Sequence, residues 1–390
     1  MRILHVVDEL DPSLGGPPIV AVRLATAQGA LGHDIRLMSY TSDGAEGAAA
    51  ELLASVPGGE AITRYTAAQS SLAGKLAIRS IRHTSEEALE AVDFVHLHGM
   101  WLPIFPITAR NARRRSIPYA VAPHGMLSQW AFEQKTMKKT LALALTQKRM
   151  LSRASFLHFL NDEERRRAEH VGIQTRTETI PNGVFINEFD SLPPSGTFKR
   201  SHPEIGDNPY VLYLGRLHPL KGLDLLVDAF SLLRNELPSL RLVIAGPDAG
   251  AAKAIRDQIG LLGLADRVHV VGPQYDQDKY AVLADAMCLC LTSRHEAFSV
   301  AVVEALACRL PVVISEQCFF PEVDEFGAGE IVTLDPRRIA AALLRMASDA
   351  DLRNKMGRNG RNLVEQRYTW PQVARTTVSS YQRVSNSTTE

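Results

Sequence analysis

One rhythm, played twice, constrains this chain more than any other feature. Short apolar runs alternate with turns and longer segments of helical spacing. In the first half the runs are Ile3–Val7, Ile35–Tyr40, Phe94–His98, Tyr119–Pro123, Phe156–Leu160 and Thr179–Pro181, with a helical pattern over Ile19–Leu31. The rhythm breaks at Ser191–Asn208, a stretch dense in Pro, Gly, Ser and charge, and then resumes. Tyr210–Leu214, Leu240–Ala245, Val268–Val271, Met287–Leu291 and Pro311–Ile314 read as strands, with helices near 221–235, 249–262, 278–286 and 299–308. Apolar runs too short for buried helices, each followed by a helical segment, indicate βαβ units and mostly parallel sheets. The expected architecture is α/β with two Rossmann-like domains. They span residues 1–190 and 209–369 and are joined by a linker at 191–208. In open parallel sheets, ligands bind beyond the carboxyl ends of the strands. Two such sheets therefore predict a central cleft, with the turns after strands as candidate sites.

Composition narrows the partners. Lys+Arg number 43 and Asp+Glu 43, which removes the basic excess expected of a nucleic-acid binder. The four cysteines, Cys288, Cys290, Cys308 and Cys318, form no CxxC pair and read as small buried hydrophobes. Only Ile3–Val7 precedes Asp8 at the start, too short for a signal-peptide core. Nothing further on reaches the ~18 apolar residues of a membrane span. The expected location is cytoplasmic.

Several turns carry candidate chemistry. Leu14-Gly15-Gly16-Pro17-Pro18 opens the first helix, and its glycines permit close backbone approach to an anion. Leu214-Gly215-Arg216-Leu217-His218-Pro219-Leu220-Lys221-Gly222 follows the first strand of the second half. Arg216 offers a planar fork and Lys221 a point charge, a pair suited to neutralising a diphosphate leaving group without a metal. Glu296-Ala297-Phe298-Ser299-Val300-Ala301-Val302-Val303-Glu304 places two carboxylates around a helix start. Unpaired amides and the helix dipole favour an anion there, and the carboxylates suit hydroxyls of a sugar and a ribose. Glu304 stands among apolar residues and needs a partner if buried. His98 and His124 each follow a strand, and Asn182-Gly183-Val184 reads as a turn with a positive-φ glycine. Residues 105–170 hold 13 Arg/Lys against 5 acids. Their middle part, Lys135–Arg153, reads as a basic amphipathic segment, either a solvated helix face covering the domain or one able to lie on an anionic membrane.

Taken together, Glu296-x7-Glu304, Tyr213–Gly222, Pro123–Met126, Ile180–Val184 and the N-terminal glycine pair resemble the family-four retaining glycosyltransferases of the GT-B fold, glycosyl transferases group 1. The resemblance implies a metal-independent hexosyltransferase that needs no cofactor, its nucleotide-diphosphate sugar being a substrate. A UDP-hexose is favoured over GDP-mannose. The acceptor would be a hydroxyl of a glycan or lipid-linked molecule, as in surface polysaccharide synthesis. Arg216 and Lys221 would bind the diphosphate, Glu304 the ribose and Glu296 the donor sugar. Phe298, Ser299 and Val300 would give backbone contacts. His124 would touch the sugar from the other domain, Gly16 would approach phosphate and acceptor, and Gln274 would lie at the base. Residues 370–390 would cross back onto the first domain. The chain departs from the family's frequent Glu-Gly-Phe-Gly by having Ala297 and Ser299 in that loop. Alternatives of the same architecture are a sugar-nucleotide epimerase and a non-catalytic nucleotide-sugar binding protein. A nicotinamide oxidoreductase is disfavoured because GxGxxG is missing.

Overall fold

The computed structural model describes residues 1–11, 16–41, 45–68, 74–127 and 146–386. They form two compact units. The first comprises Met1–Asn182 with the C-terminal residues from Trp370 onward, and the second is Gly183–Thr369.

In the first unit seven strands run β1 (Arg2–Glu9), β2 (Asp34–Thr41), β3 (Thr63–Ala68), β4 (Phe94–His98), β5 (Tyr119–Ala122), β6 (Phe156–Phe159) and β7 (Thr177–Thr179). Their order is β3-β2-β1-β4-β5-β6-β7 and every pairing is parallel. Helices Gly16–Ala30 and Ile104–Arg114 are crossovers between parallel neighbours, as such connections require, and Gly74–Ala88 carries the chain from the edge strand β3 back to β4 beside β1. The central strand β4 is buried at all five positions, including both histidines of Phe94-Val95-His96-Leu97-His98. The last helix, Trp370–Asn386, packs against the first and buries Trp370, Val373, Ala374 and Tyr381.

The second unit has β8 (Tyr210–Leu214), β9 (Arg241–Ala245), β10 (Val268–Gly272), β11 (Cys288–Leu291), β12 (Val312–Ser315) and β13 (Gly329–Val332). Their order is β10-β9-β8-β11-β12-β13, again all parallel. The order in which the chain lays down strands reverses between β8 and β11, so the turns after these two parallel strands meet at the topological switch point. Both carry the motifs singled out above.

Residues 191–208 are not a free linker. Helix Thr197–Ser201 is tied down by the Asp285 carboxylate, which accepts from the amides of Gly196, Phe198 and Lys199. Phe198 and Ile205 enter the core of the second unit. Polar composition marked the segment as exposed, but two apolar residues suffice to anchor it. The chain instead passes between units at Asn182/Gly183 and at Thr369/Trp370. Gly183 is not among the glycines with positive φ, so the expected left-handed turn does not form there; the next residue, Val184, instead bridges Thr369 and donates its amide to Tyr368 O at 2.9 Å.

The four cysteines are free, three of them fully buried, and burial pushes the Cys288 thiol up to about 12. No described helix is long and apolar enough to cross a membrane.

Candidate active site

The loop after β8 is locked onto the loop after β11. Gly222 has φ 62°, and a Cβ there would lie 2.0 Å from the Thr292 carbonyl oxygen. Any larger residue would have to part the two loops. Thr292 Oγ1 donates to Gly222 O at 2.8 Å, and the Arg294 amide donates to Leu220 O at 2.7 Å. The Arg294 guanidinium then forks onto the Asp224 carboxylate. These bonds deliver Lys221 to Glu296: Lys221 Nζ lies 2.5 Å from Glu296 Oε2, which also accepts from Ser293 Oγ at 3.0 Å. Both side chains are largely buried, at 20% and 10% exposure.

Helix Val300–Ala307 begins beside this pair. Its N-cap is Ser299, whose hydroxyl accepts from the Val302 amide. A further turn into the helix stands Glu304, and the partner its apolar setting demands is Lys279, with Nζ 2.7 Å from Glu304 Oε1. Lys279 belongs to the helix after β10. Two half-buried ion pairs therefore bracket one helix start. Buried pairs contribute little net stability because desolvation offsets attraction. What the arrangement does supply is polar groups held ready for a ligand.

Arg216 is exposed and makes no ion pair among the described residues, while its carbonyl accepts from Tyr213 OH at 2.8 Å. Burial, and next the Glu296 charge, push the Tyr213 hydroxyl far above its ordinary range. Phe298 packs its ring against Phe320 and Tyr368, fixing the loop between Glu296 and Ser299. Gln274, half-buried after β10, turns its amide toward Val271 O at 3.5 Å. The structure thus brings together Lys221, Glu296, Phe298, Ser299, Val300 and Glu304. Arg216 and Gln274 stand in turns of their own.

In the first unit His124 follows β5 with φ 49° and Gly125 with φ 78°, two consecutive left-handed residues. This backbone is held from outside. Glu164 accepts from the amides of Gly125 and Leu160, and its burial raises that carboxyl to about 7. His124 is half-buried, whereas His98 is wholly enclosed in β4, so only His124 is open to a ligand. Gly16 begins the first helix with open space around its Cα, and residues 12–15 lie outside the described residues. So does most of the basic segment Lys135–Arg153. Its described end, with Arg149, joins Arg110, Arg113 and Arg114 around a hollow of about 510 Å³.

Sequence reading missed Lys279, Ser293 and Glu164. Lys279 had a signal, since an apolar helix carrying Glu304 demanded a cation. Glu164 had none, because its role depends on tertiary placement.

Comparison with known proteins identifies the family. Residues 195–363 match the family model of glycosyl transferases group 1, and residues 15–183 that of the glycosyl transferase 4-like domain. The GDP-mannose:cellobiosyl-diphosphopolyprenol alpha-mannosyltransferase of Xanthomonas campestris is 26% identical over 98% of this chain and 96% of its own. The phosphatidyl-myo-inositol mannosyltransferase of Mycobacterium leprae is 31% identical over 53% of this chain and 54% of its own. Among solved structures, Anabaena HepE in complex with UDP and glucose superposes with a TM-score of 0.79 at 21% identity, covering 98% and 99% of the two chains.

Proposed function

Because this chain belongs to the group 1 glycosyltransferases, enzymes that move a sugar from a nucleotide sugar, we propose that it transfers a hexose with retention of anomeric configuration to a hydroxyl of a glycan or lipid-linked acceptor. The observation that carries this reading is the pair of ion pairs, Lys221–Glu296 and Lys279–Glu304, set about the leading end of helix Val300–Ala307.

In this reading the donor diphosphate takes Lys221 as its counter-ion and lies against the free amides near Ser299 and Val300. Arg216 supplies a second cation. Positive charge placed where the leaving group gains negative charge lowers the barrier by electrostatic stabilisation, the work a divalent metal does elsewhere. Lys221 thereby releases Glu296, which accepts from hydroxyls of the sugar, and Glu304 accepts from those of the ribose. Gln274 is assigned to the base, Gly16 to phosphate and acceptor, and His124 to the donor sugar. The bond from the anomeric carbon to the phosphate oxygen breaks as that carbon bonds the acceptor oxygen. The hydroxyl proton passes to the departing diphosphate on the same face, so no covalent sugar–enzyme intermediate forms.

Two donors have support. The full-length Xanthomonas relative is named for GDP-mannose, and the HepE structures hold UDP or UDP-glucose. An anionic acceptor, or peripheral contact with an anionic membrane at the synthesis of surface polysaccharide, is supported by the arginines around the 510 Å³ hollow.

A thermal-shift panel of UDP-glucose, GDP-mannose and the free nucleotides tests the reading. A donor at 100 times its Kd stabilises by about 2.7 kcal/mol, a shift of several degrees. No shift from any nucleotide sugar would end it. Product analysis with an acceptor separates transfer from epimerisation, and an inverted linkage would remove the retaining mechanism.

Glu304→Ala is expected to weaken nucleotide binding by roughly 10-fold, the loss of a charge-assisted hydrogen bond of ~1.5 kcal/mol. Calorimetric titration measures it. A lowered melting temperature with unchanged affinity would make the Lys279 pair purely structural.

A further inference from the structure

Seven polar side chains of the first unit, almost all fully buried, form one unbroken hydrogen-bonded line. His124 Nε2 meets His98 Nδ1 at 3.2 Å, and His98 Nε2 meets His5 Nδ1 at 2.9 Å. His5 Nε2 meets Gln28 Oε1 at 2.8 Å, and Gln28 Nε2 meets the Tyr381 hydroxyl at 3.3 Å. Tyr381 meets His96 Nδ1 at 2.7 Å, His96 Nε2 meets His158 Nδ1 at 3.2 Å, and His158 Nε2 ends on the carbonyl of Ile180 at 2.7 Å. His96 on β4 and His158 on β6 bond across β5, whose Ala120 and Ala122 are small enough to let them meet.

The line has one consistent direction, fixed at its far end. A carbonyl only accepts, so His158 carries its proton on Nε2 and accepts at Nδ1. His96 must then donate from Nε2 and accept at Nδ1, which makes Tyr381 the donor to it. The tyrosine oxygen can only accept from Gln28, so the amide NH2 faces Tyr381 and its oxygen faces His5. His5 donates from Nε2, His98 from Nε2, and His124 from Nε2. We infer that this line holds His124 as the neutral Nε2–H tautomer and presents its bare Nδ1 as a hydrogen-bond acceptor to the donor sugar. This rests on the assignment of His124 to the sugar made above. Burial lowers all five imidazoles, His124 to about 3 and His5 and His158 to about 4, which keeps every ring neutral. Charging an inner ring would set two donors against each other.

A consequence for specificity follows. The sugar group facing His124 must donate, so a hydroxyl is accepted and a carboxylate or keto oxygen is opposed by the nitrogen lone pair. His98, His5, Gln28, Tyr381, His96 and His158 act through His124 and are positioning residues. The ligand nitrogens of His5, His96 and His98 lie within 4.8 Å of one another, close enough to suggest a metal. All six of their ring nitrogens are already engaged in the line, and a metal would have to break it.

The test is a long-range ¹H–¹⁵N spectrum of the full-length, uniformly labelled protein, with His124 assigned by its loss in His124→Ala. The expected result is a protonated Nε2 and an unprotonated Nδ1 on His124. A proton on Nδ1, or stoichiometric transition metal in the purified protein, would overturn the inference while leaving the donor contact intact. Tyr381→Phe removes the anchor that orients Gln28, so the His5–His98–His124 stretch is free to invert. The expected result is a mixture of His124 tautomers and kcat/KM for the donor lowered roughly 2- to 10-fold, the loss of one neutral hydrogen bond. A variant of lower stability with His124 nitrogen shifts unchanged would make Tyr381 merely structural and sink the inference. Unchanged kcat/KM in His124→Ala would instead sink the contact with the sugar, whatever the spectrum shows.

Discussion

Lys221→Ala is expected to lower kcat roughly 10- to 200-fold, with a much smaller change in donor KM. Lys221 meets Glu296 at 2.5 Å before substrate arrives, and in the proposed reaction it exchanges that carboxylate for the diphosphate. A charge-assisted contact is worth ~1.5–3 kcal/mol, and its value grows as the leaving oxygen gains charge, so the loss falls on the chemical step. Truncation also leaves Glu296, only 10% exposed, without its cation and therefore poorly set to receive a sugar hydroxyl. Steady-state kinetics with a saturating acceptor measures the effect. Turnover equal to wild type would remove Lys221 from the reaction and leave its ion pair a structural one.

Acidification is expected to unfold the first unit well before ordinary acid denaturation. His5 and His158 are pushed down to about 4 and His124 to about 3 by burial, from 6.5 in the unfolded chain. Between pH 6.5 and 4 the unfolded state therefore takes up protons that the folded state refuses. The stability these three rings contribute is complete above pH 6.5 and is lost as pH falls through that window, ~1.4 kcal/mol per pH unit for each. Glu164 acts oppositely. Its folded value of about 7 lies above the ordinary 4.5, so its contribution is complete below pH 4.5 and fades as pH rises toward 7. The net loss from these four groups is on the order of 3 kcal/mol per pH unit, with His96 and His98 adding in the same direction. Scanning calorimetry from pH 7 to pH 5 should show a steeply falling melting temperature. A flat profile would mean that the rings are hydrated or already charged.

Much of this was legible in the residues. β8 and β11 read as continuous apolar runs because parallel strands covered on both faces have no polar side to alternate. The strands overlooked were edges. β3, Thr-Arg-Tyr-Thr-Ala-Ala, and β13, Gly-Glu-Ile-Val, are each paired on one side only, and their polar residues look like loop. At the site, Glu296, Lys221 and Glu304 stood out because charge beside a strand end or within an apolar helix has to be accounted for. Their pairing did not. That Lys221 serves Glu296 while Lys279 serves Glu304 is decided by the Gly222–Thr292 contact and by the helix after β10, and neither is local in sequence. The histidine line was half visible as His96-x-His98 on one face of β4. Its direction required Ile180 and Tyr381, at the far ends of the unit's chain.

Tyr381 lies in the segment that returns to the first unit after the second is complete. On the ribosome, the sheet β1–β7 emerges some two hundred residues ahead of the helix that stacks Tyr381 on Phe94 with ring centres 4.1 Å apart. Until helix Trp370–Asn386 has emerged, a groove lined by imidazoles stays wet and its rings can be protonated. The newborn chain must therefore wait for residues 370–386 before that layer closes, and a message cut short before codon 370 would yield a second unit able to finish while the first is not.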